Sequence, residues 1–281
     1  MPFVVTHNLL PLRGRPESSA EMVSQALFGD TVDPVAEVGE FLLVTTEDGY
    51  EGWARRRHIS EQIGSENKLQ PGIVSHPFAV VQQDLNCAES IITRLSIGSK
   101  LSVITQTSAW TEIWLNNAGK DGSGYLKTEA VIEVPSLDST VQDLPNRVGA
   151  YARSLLGTPY LWGGTSAFGL DCSGFVQRVF GLCGVLLPRD AYQQAAVSYE
   201  NAAIQVEPPY QMGDIVFFLG REDPRQRGVT HVGIALDKDR FIHAYGVAGV
   251  SIHAFLNTEI EAEYLVRGGL RVSKPGMYAK L

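Results

Sequence analysis

The chain has no long apolar run. None of its 281 residues fall in a window with the roughly 20 uninterrupted apolar positions a membrane-crossing helix needs, so a spanning helix is excluded. An excess of positive charge is missing too: 23 Lys and Arg stand against 31 Asp and Glu, a net charge of −8. Nucleic-acid binders need a Lys/Arg surface to displace counterions, and polybasic membrane-surface proteins need one as well. Neither nucleic acid nor membrane is expected as a partner. Cysteine is scarce. Cys87, Cys172 and Cys183 are too few for a disulfide framework, and none belongs to a Cys-x-x-Cys pair. No zinc-type cluster is visible, and no metal or cofactor is expected. The N-terminus, MPFVVTHNLLPLRGRPESS, lacks a basic segment ahead of an apolar one and is no signal peptide. A cytoplasmic protein is the expectation.

What is present is ordinary globular composition, 44% hydrophobic and 19% charged, over a length that suits several small domains. The first half reads as short strands punctuated by turn residues, and its order repeats. LFGDTVDPVAEVGEFLLVTT followed by GYEGWARRRHI has a counterpart in LSIGSKLSVITQTSAWTEIWL followed by GSGYLKTEAVI. In both a Gly precedes a β-branched strand, and a Gly-aromatic pair opens the last strand. Two small all-β barrels follow, over residues 1–66 and 67–138. The polar, proline-containing stretch EVPSLDSTVQDLPNR, residues 133–147, reads as a linker. Beyond it, residues 139–281 change character. NRVGAYARSLLG and the run after Cys172 have helical spacing, then DIVFFLG, HVGIALD and RFIHAY read as strands. That is an α+β layout.

The chemistry concentrates in GLDCSGFVQRVF, residues 169–180. A cysteine that opens a helix feels the positive end of the helix dipole and unpaired N–H groups, which favour thiolate and offer oxyanion donors. A free cysteine is as often a small buried hydrophobe. Histidine separates the two readings, because a thiol nucleophile needs a base and the base an orienting group. His231 opens HVGIAL and His243 lies in RFIHAY. A hairpin turning at about Asp237 brings the two side by side. His253, His7, His58 and His76 show no partner in the sequence, Cys87 and Cys183 read as structural, and the ARRRH run at 54–58 reads as a solvated face.

The ordered motifs GTPYLWGG, DCSGFVQRVF, LPRDAYQQA, GDIVFF, THVGIAL and RFIHAYG resemble the NlpC-type cell-wall peptidases, a branch of the papain-like cysteine peptidases. The first half is similar to the bacterial SH3-like domains that accompany them. The resemblance implies two SH3-like barrels followed by an α+β papain-like catalytic domain. It implies Cys172 as nucleophile, His231 as general base, His243 as its orienting residue and Tyr160 as an oxyanion donor, or else a packing residue beside Trp162. The arrangement is similar to γ-D-glutamyl-L-diamino-acid endopeptidases that recycle murein peptides with a free N-terminal L-Ala. By that likeness Asp190 holds the ammonium or caps a helix, and Asp171 and Ser173 meet D-Glu or cap the Cys172 helix. Trp162 lines the substrate site, and Tyr50, with Glu21 or Glu51, closes it. A monomer acting on such peptides is implied. The alternative is a wall-bound hydrolase of polymeric murein that uses its SH3-like domains as binders.

Overall fold

The computed structural model describes residues 3–61, 69–117, 120–135, 143–196, 203–220, 228–256, 264–272 and 276–277. The chain divides into two compact units, Met1–Val134 and Pro135–Leu281.

The first unit contains two seven-stranded antiparallel sheets, one between Phe3 and Glu61 and the other between Gln70 and Glu133. Numbered in chain order within each sheet, the strands lie side by side as 3-2-6-5-4-1-7 in both. The repeat that is faint in residue identity is strict in topology. Alternation drives it: Leu9–Arg13 buries Leu10 and Leu12 and turns its other side chains outward, the period of a half-buried strand. Val5, Leu10, Leu12, Val32 and Val44 fill the first barrel; Val81, Leu95, Ile113, Leu115 and Leu126 fill the second. Each such side chain, once buried, contributes about 1.5–3 kcal/mol. Phe28, which follows the third strand of the first sheet, packs into the core of the second. There the Lys100 N–H donates to the Phe28 carbonyl at 2.9 Å, and the Lys100 ammonium pairs with Asp30 at 3.7 Å and with Glu47.

Among its described residues the second unit has three α-helices, α1 (Leu144–Ser154), α2 (Cys172–Gly181) and α3 (Ala191–Ala196). Its six-stranded antiparallel sheet runs, edge to edge, Ala203–Val206, Tyr264–Val272, Ile215–Gly220, His231–Ala235, Arg240–Tyr245 and Gly249–Ala254. The three strands expected from sequence are central to it, and three more flank them. Helix α1 starts at Leu144, inside the stretch read as linker. Pro145 occupies its first turn, where a missing N–H costs nothing because that donor has no helical partner. Cys183 lies beyond α2, which ends at Gly181, and Gly184 takes a left-handed φ of 79°. Helix α2 buries Phe175, Val176, Val179 and Phe180 and packs against the strands that carry the histidines.

Candidate active site

Cys172 is the first residue of α2, and Asp171 caps that helix by accepting from the Gly174 N–H at 2.7 Å. The head of α2 presses on the turn before it. A Cβ at Gly174 would fall 2.1 Å from the Gly164 carbonyl oxygen, a distance only glycine permits. The Asp171 carboxylate also accepts from the Gly163 N–H at 2.9 Å, from the Ser173 hydroxyl at 3.3 Å and from both terminal nitrogens of Arg189. Arg189 is 2% exposed and gives a further hydrogen bond to the Ser173 hydroxyl at 2.9 Å. Gln194 of α3 donates to the Ser173 and Pro188 carbonyls at 3.1 and 2.8 Å. A buried, bidentate ion pair thus fixes the turn that presents the thiol. Of the roles open to Asp171 from sequence, the structure shows the cap. Ser173 is buried in the same network.

Across from this helix, the His231–Ala235 and Arg240–Tyr245 strands pair with Ile234 opposite Ile242 and Ala235 opposite Phe241. Their turn therefore centres on Lys238, one residue later than expected. Asp237 closes it by accepting from the Asp239 and Arg240 N–H groups at 2.9 and 2.8 Å. Continuing the register puts Gly233 opposite His243, and His231 on the same face two residues along, within diagonal reach. His231 Nε2 lies 2.6 Å from His243 Nδ1. Gly233 makes room: a Cβ there would sit 3.0 Å from Phe241 and 3.1 Å from the His243 Cβ. His231 and His243 are 3% and 0% exposed. Phe218, Phe241 and Tyr245 pack on them, with Tyr245 stacked on His243 at 5.4 Å.

The sulfur of Cys172 receives hydrogen bonds from the main chain of Val232, the neighbour of His231, and of Ser173. These contacts, together with Arg189, favour thiolate. Burial outweighs them, with the Asp171 carboxylate pushing the same way, and raises the thiol to about 12. Burial lowers His231 to about 3. His243 falls well below its ordinary value, by burial first and then by the neighbouring His231 and His253. Burial thus opposes the thiolate that the helix end favours. Iodoacetamide labelling of Cys172, followed by mass spectrometry, is accordingly expected to quicken with pH up to about 9, as for a raised thiol. A plateau between about pH 5 and 8 would instead reveal a preformed ion pair.

Tyr160 is half-buried and bridges Leu170, while the Leu161 N–H donates to the Leu170 carbonyl at 3.1 Å. Its segment is thereby stitched to the chain two residues before Cys172. Trp162 is exposed. Asp190 precedes α3, and its N–H donates to Gln193 Oε1 at 3.0 Å, half of a capping box. Tyr50 and Glu21 belong to the first unit, Tyr50 after the Asp48-Gly49 turn and Glu21 just before the Met22–Leu27 strand. Two residues escaped the sequence reading. Arg189 adjoins Asp190 within LPRDAYQQ, and His253, dismissed as partnerless, stands 2.8 Å from His243 through its Nδ1. The three histidines bond one another in a row, and among the described residues no group of His, Cys, Asp and Glu is placed to hold a metal ion.

Residues 157–268 match the NlpC/P60 family. The second unit is an NlpC/P60 domain. Residues 12–59 match the bacterial dipeptidyl-peptidase Sh3 domain, so the first barrel is SH3-like, and the second shares its strand order. With its NlpC/P60 domain, the protein is a cysteine peptidase of the peptidoglycan-related kind. It is 28% identical to a γ-D-glutamyl-L-lysine dipeptidyl-peptidase of Bacillus cereus, over 80% of this chain and 67% of that one. It is also 28% identical to a dipeptidyl-peptidase 6 of Lysinibacillus sphaericus, over 87% and 88%. A crystal structure of an NlpC/P60 family protein from Bacillus cereus has the same fold, with a TM-score of 0.81 at 20% identity over 98% of this chain and 100% of that one.

Proposed function

We propose that this peptidase hydrolyses the bond between γ-D-Glu and the diamino acid of free murein peptides that carry an unblocked N-terminal L-Ala. The observation that carries the reading is the 2.6 Å contact between His231 Nε2 and His243 Nδ1, on the strand whose Val232 N–H meets the Cys172 sulfur. Similarity to dipeptidyl-peptidases along more than four-fifths of the chain supports the substrate class. Cys172 is the nucleophile, and its proton passes to His231 Nδ1 as the sulfur attacks the carbonyl carbon. The oxyanion is held by the Cys172 N–H and the Tyr160 hydroxyl. His231 then protonates the leaving amine, and it deprotonates the water that hydrolyses the thioester.

In this reading Asp190 meets the substrate ammonium, which needs an acid if it is buried. Trp162 contributes to the substrate site, and Asp171 and Ser173 hold the head of α2. The enzyme acts as a monomer in the cytoplasm, where its three free cysteines stay reduced and short wall peptides are recycled.

The test is mass spectrometry of the purified protein with L-Ala-γ-D-Glu-L-Lys and its diaminopimelate counterpart, each free and N-acetylated, beside intact sacculi. Cleavage of the free peptides alone is expected. Cleavage of the acetylated peptides or of sacculi would replace recycling by hydrolysis of polymeric murein.

A further inference from the structure

We propose that His253 is a positioning residue: the third imidazole of the row His231–His243–His253, it holds His231 in the tautomer able to act as a base. The inference rests on the assignment of Cys172 and His231 above.

The geometry is a matter of strand register. Phe241 pairs with His253 and His243 with Ser251, so His243 and His253 share a face at diagonal positions, as His231 and His243 do one strand earlier. The two contacts are His231 Nε2 to His243 Nδ1 at 2.6 Å and His243 Nε2 to His253 Nδ1 at 2.8 Å. The rings meet edge to face at 4.9 and 5.0 Å between centroids. Tyr245 stacks on the middle ring and turns its edge toward the outer two, at 6.1 and 6.4 Å.

A neutral imidazole donates through one nitrogen and accepts through the other. Both contacts must therefore run in the same direction, and the row has two self-consistent states. In the first, every ring carries its proton on Nε2. His231 donates to His243, His243 donates to His253, and His231 Nδ1 keeps a lone pair for the thiol proton. In the second, His253 donates from Nδ1, His243 does likewise, and His231 carries its proton on Nδ1. It is then no base. The choice depends on an acceptor at His253 Nδ1. Without one, the Nε2–H of the buried His243 has no partner, and His243 recovers one only by the flip that disables His231. The acceptor also strengthens the row once His231 is protonated, since each donation polarises the next.

Three variants separate this role from simple packing. His253→Asn keeps an acceptor, its amide oxygen, near the place of Nδ1. His253→Leu removes it, and His253→Lys offers only donors. In protein labelled with ¹⁵N-histidine and without substrate, imidazole nitrogen spectra of the wild type and of His253→Asn are expected to show His231 protonated on Nε2. In His253→Leu and His253→Lys the signal shifts toward Nδ1. Against the peptide that the wild type cleaves, kcat is expected to fall by about 10- to 100-fold in these two variants, with KM nearly unchanged, and to recover largely in His253→Asn. A wild-type His231 protonated on Nδ1 would overturn the proposal, as would an unaltered His231 tautomer in His253→Lys. If His253→Leu fails to fold, the Asn and Lys variants decide. The spectra need no substrate, so they stand whatever the peptide assays give.

Discussion

Cys172→Ala is expected to fold and to lose about 10⁴- to 10⁶-fold in kcat, the scale of removing a nucleophile whose partners remain. The fold should survive because little of the local structure depends on the sulfur. The cap from Asp171 to the Gly174 N–H, the ion pair to Arg189 and the approach of Gly174 to Gly164 all persist. Alanine also favours the helix at that position. His231 and His243 stay in contact but have no thiol to deprotonate. The measurement is steady-state cleavage of the free peptide, with circular dichroism to confirm the fold. Cleavage within tenfold of the wild type would remove Cys172 from the chemistry.

Arg189→Met is expected to destabilise the second unit by about 3–5 kcal/mol, the cost of stripping one partner from a buried ion pair. Asp171 is 7% exposed, and without the guanidinium its carboxylate keeps only main-chain N–H groups and the Ser173 hydroxyl. Arg189→Lys should recover part of the loss, because a single ammonium cannot supply two parallel donors. With two units in the chain, one unfolding curve is ambiguous. Labelling of the buried Cys183 against denaturant, read by mass spectrometry, follows the second unit specifically. A midpoint shift worth under about 1 kcal/mol would mean that the pair contributes no more than a surface salt bridge.

Sequence exposes what is local or periodic. The duplicated strand order, the helix opened by Cys172 and the hairpin carrying His231 and His243 could be read from alternation, turn residues and motif order. The hairpin was misplaced by one residue, yet the histidines still share a face, because a two-residue change in pairing preserves side-chain parity. Arg189 was out of reach: its partner is 18 residues away, and no periodicity marks an ion pair across a turn. His253 was missed because GVSIHA, short and opened by glycine, gave a weak strand signal. Without the Gly249–Ala254 strand, His243 has no neighbour on its far side. The burial that opposes the helix end at Cys172 was out of reach as well, because burial is a property of the assembled fold.

The placement of Phe28 has a consequence for how such a chain is assembled over evolution. Its side chain fills the core of the second barrel although it is encoded with the first. Gene rearrangement that carried off one barrel would leave the other with a hole or an uncovered phenylalanine. A breakpoint between the two halves is therefore expected to destabilise both.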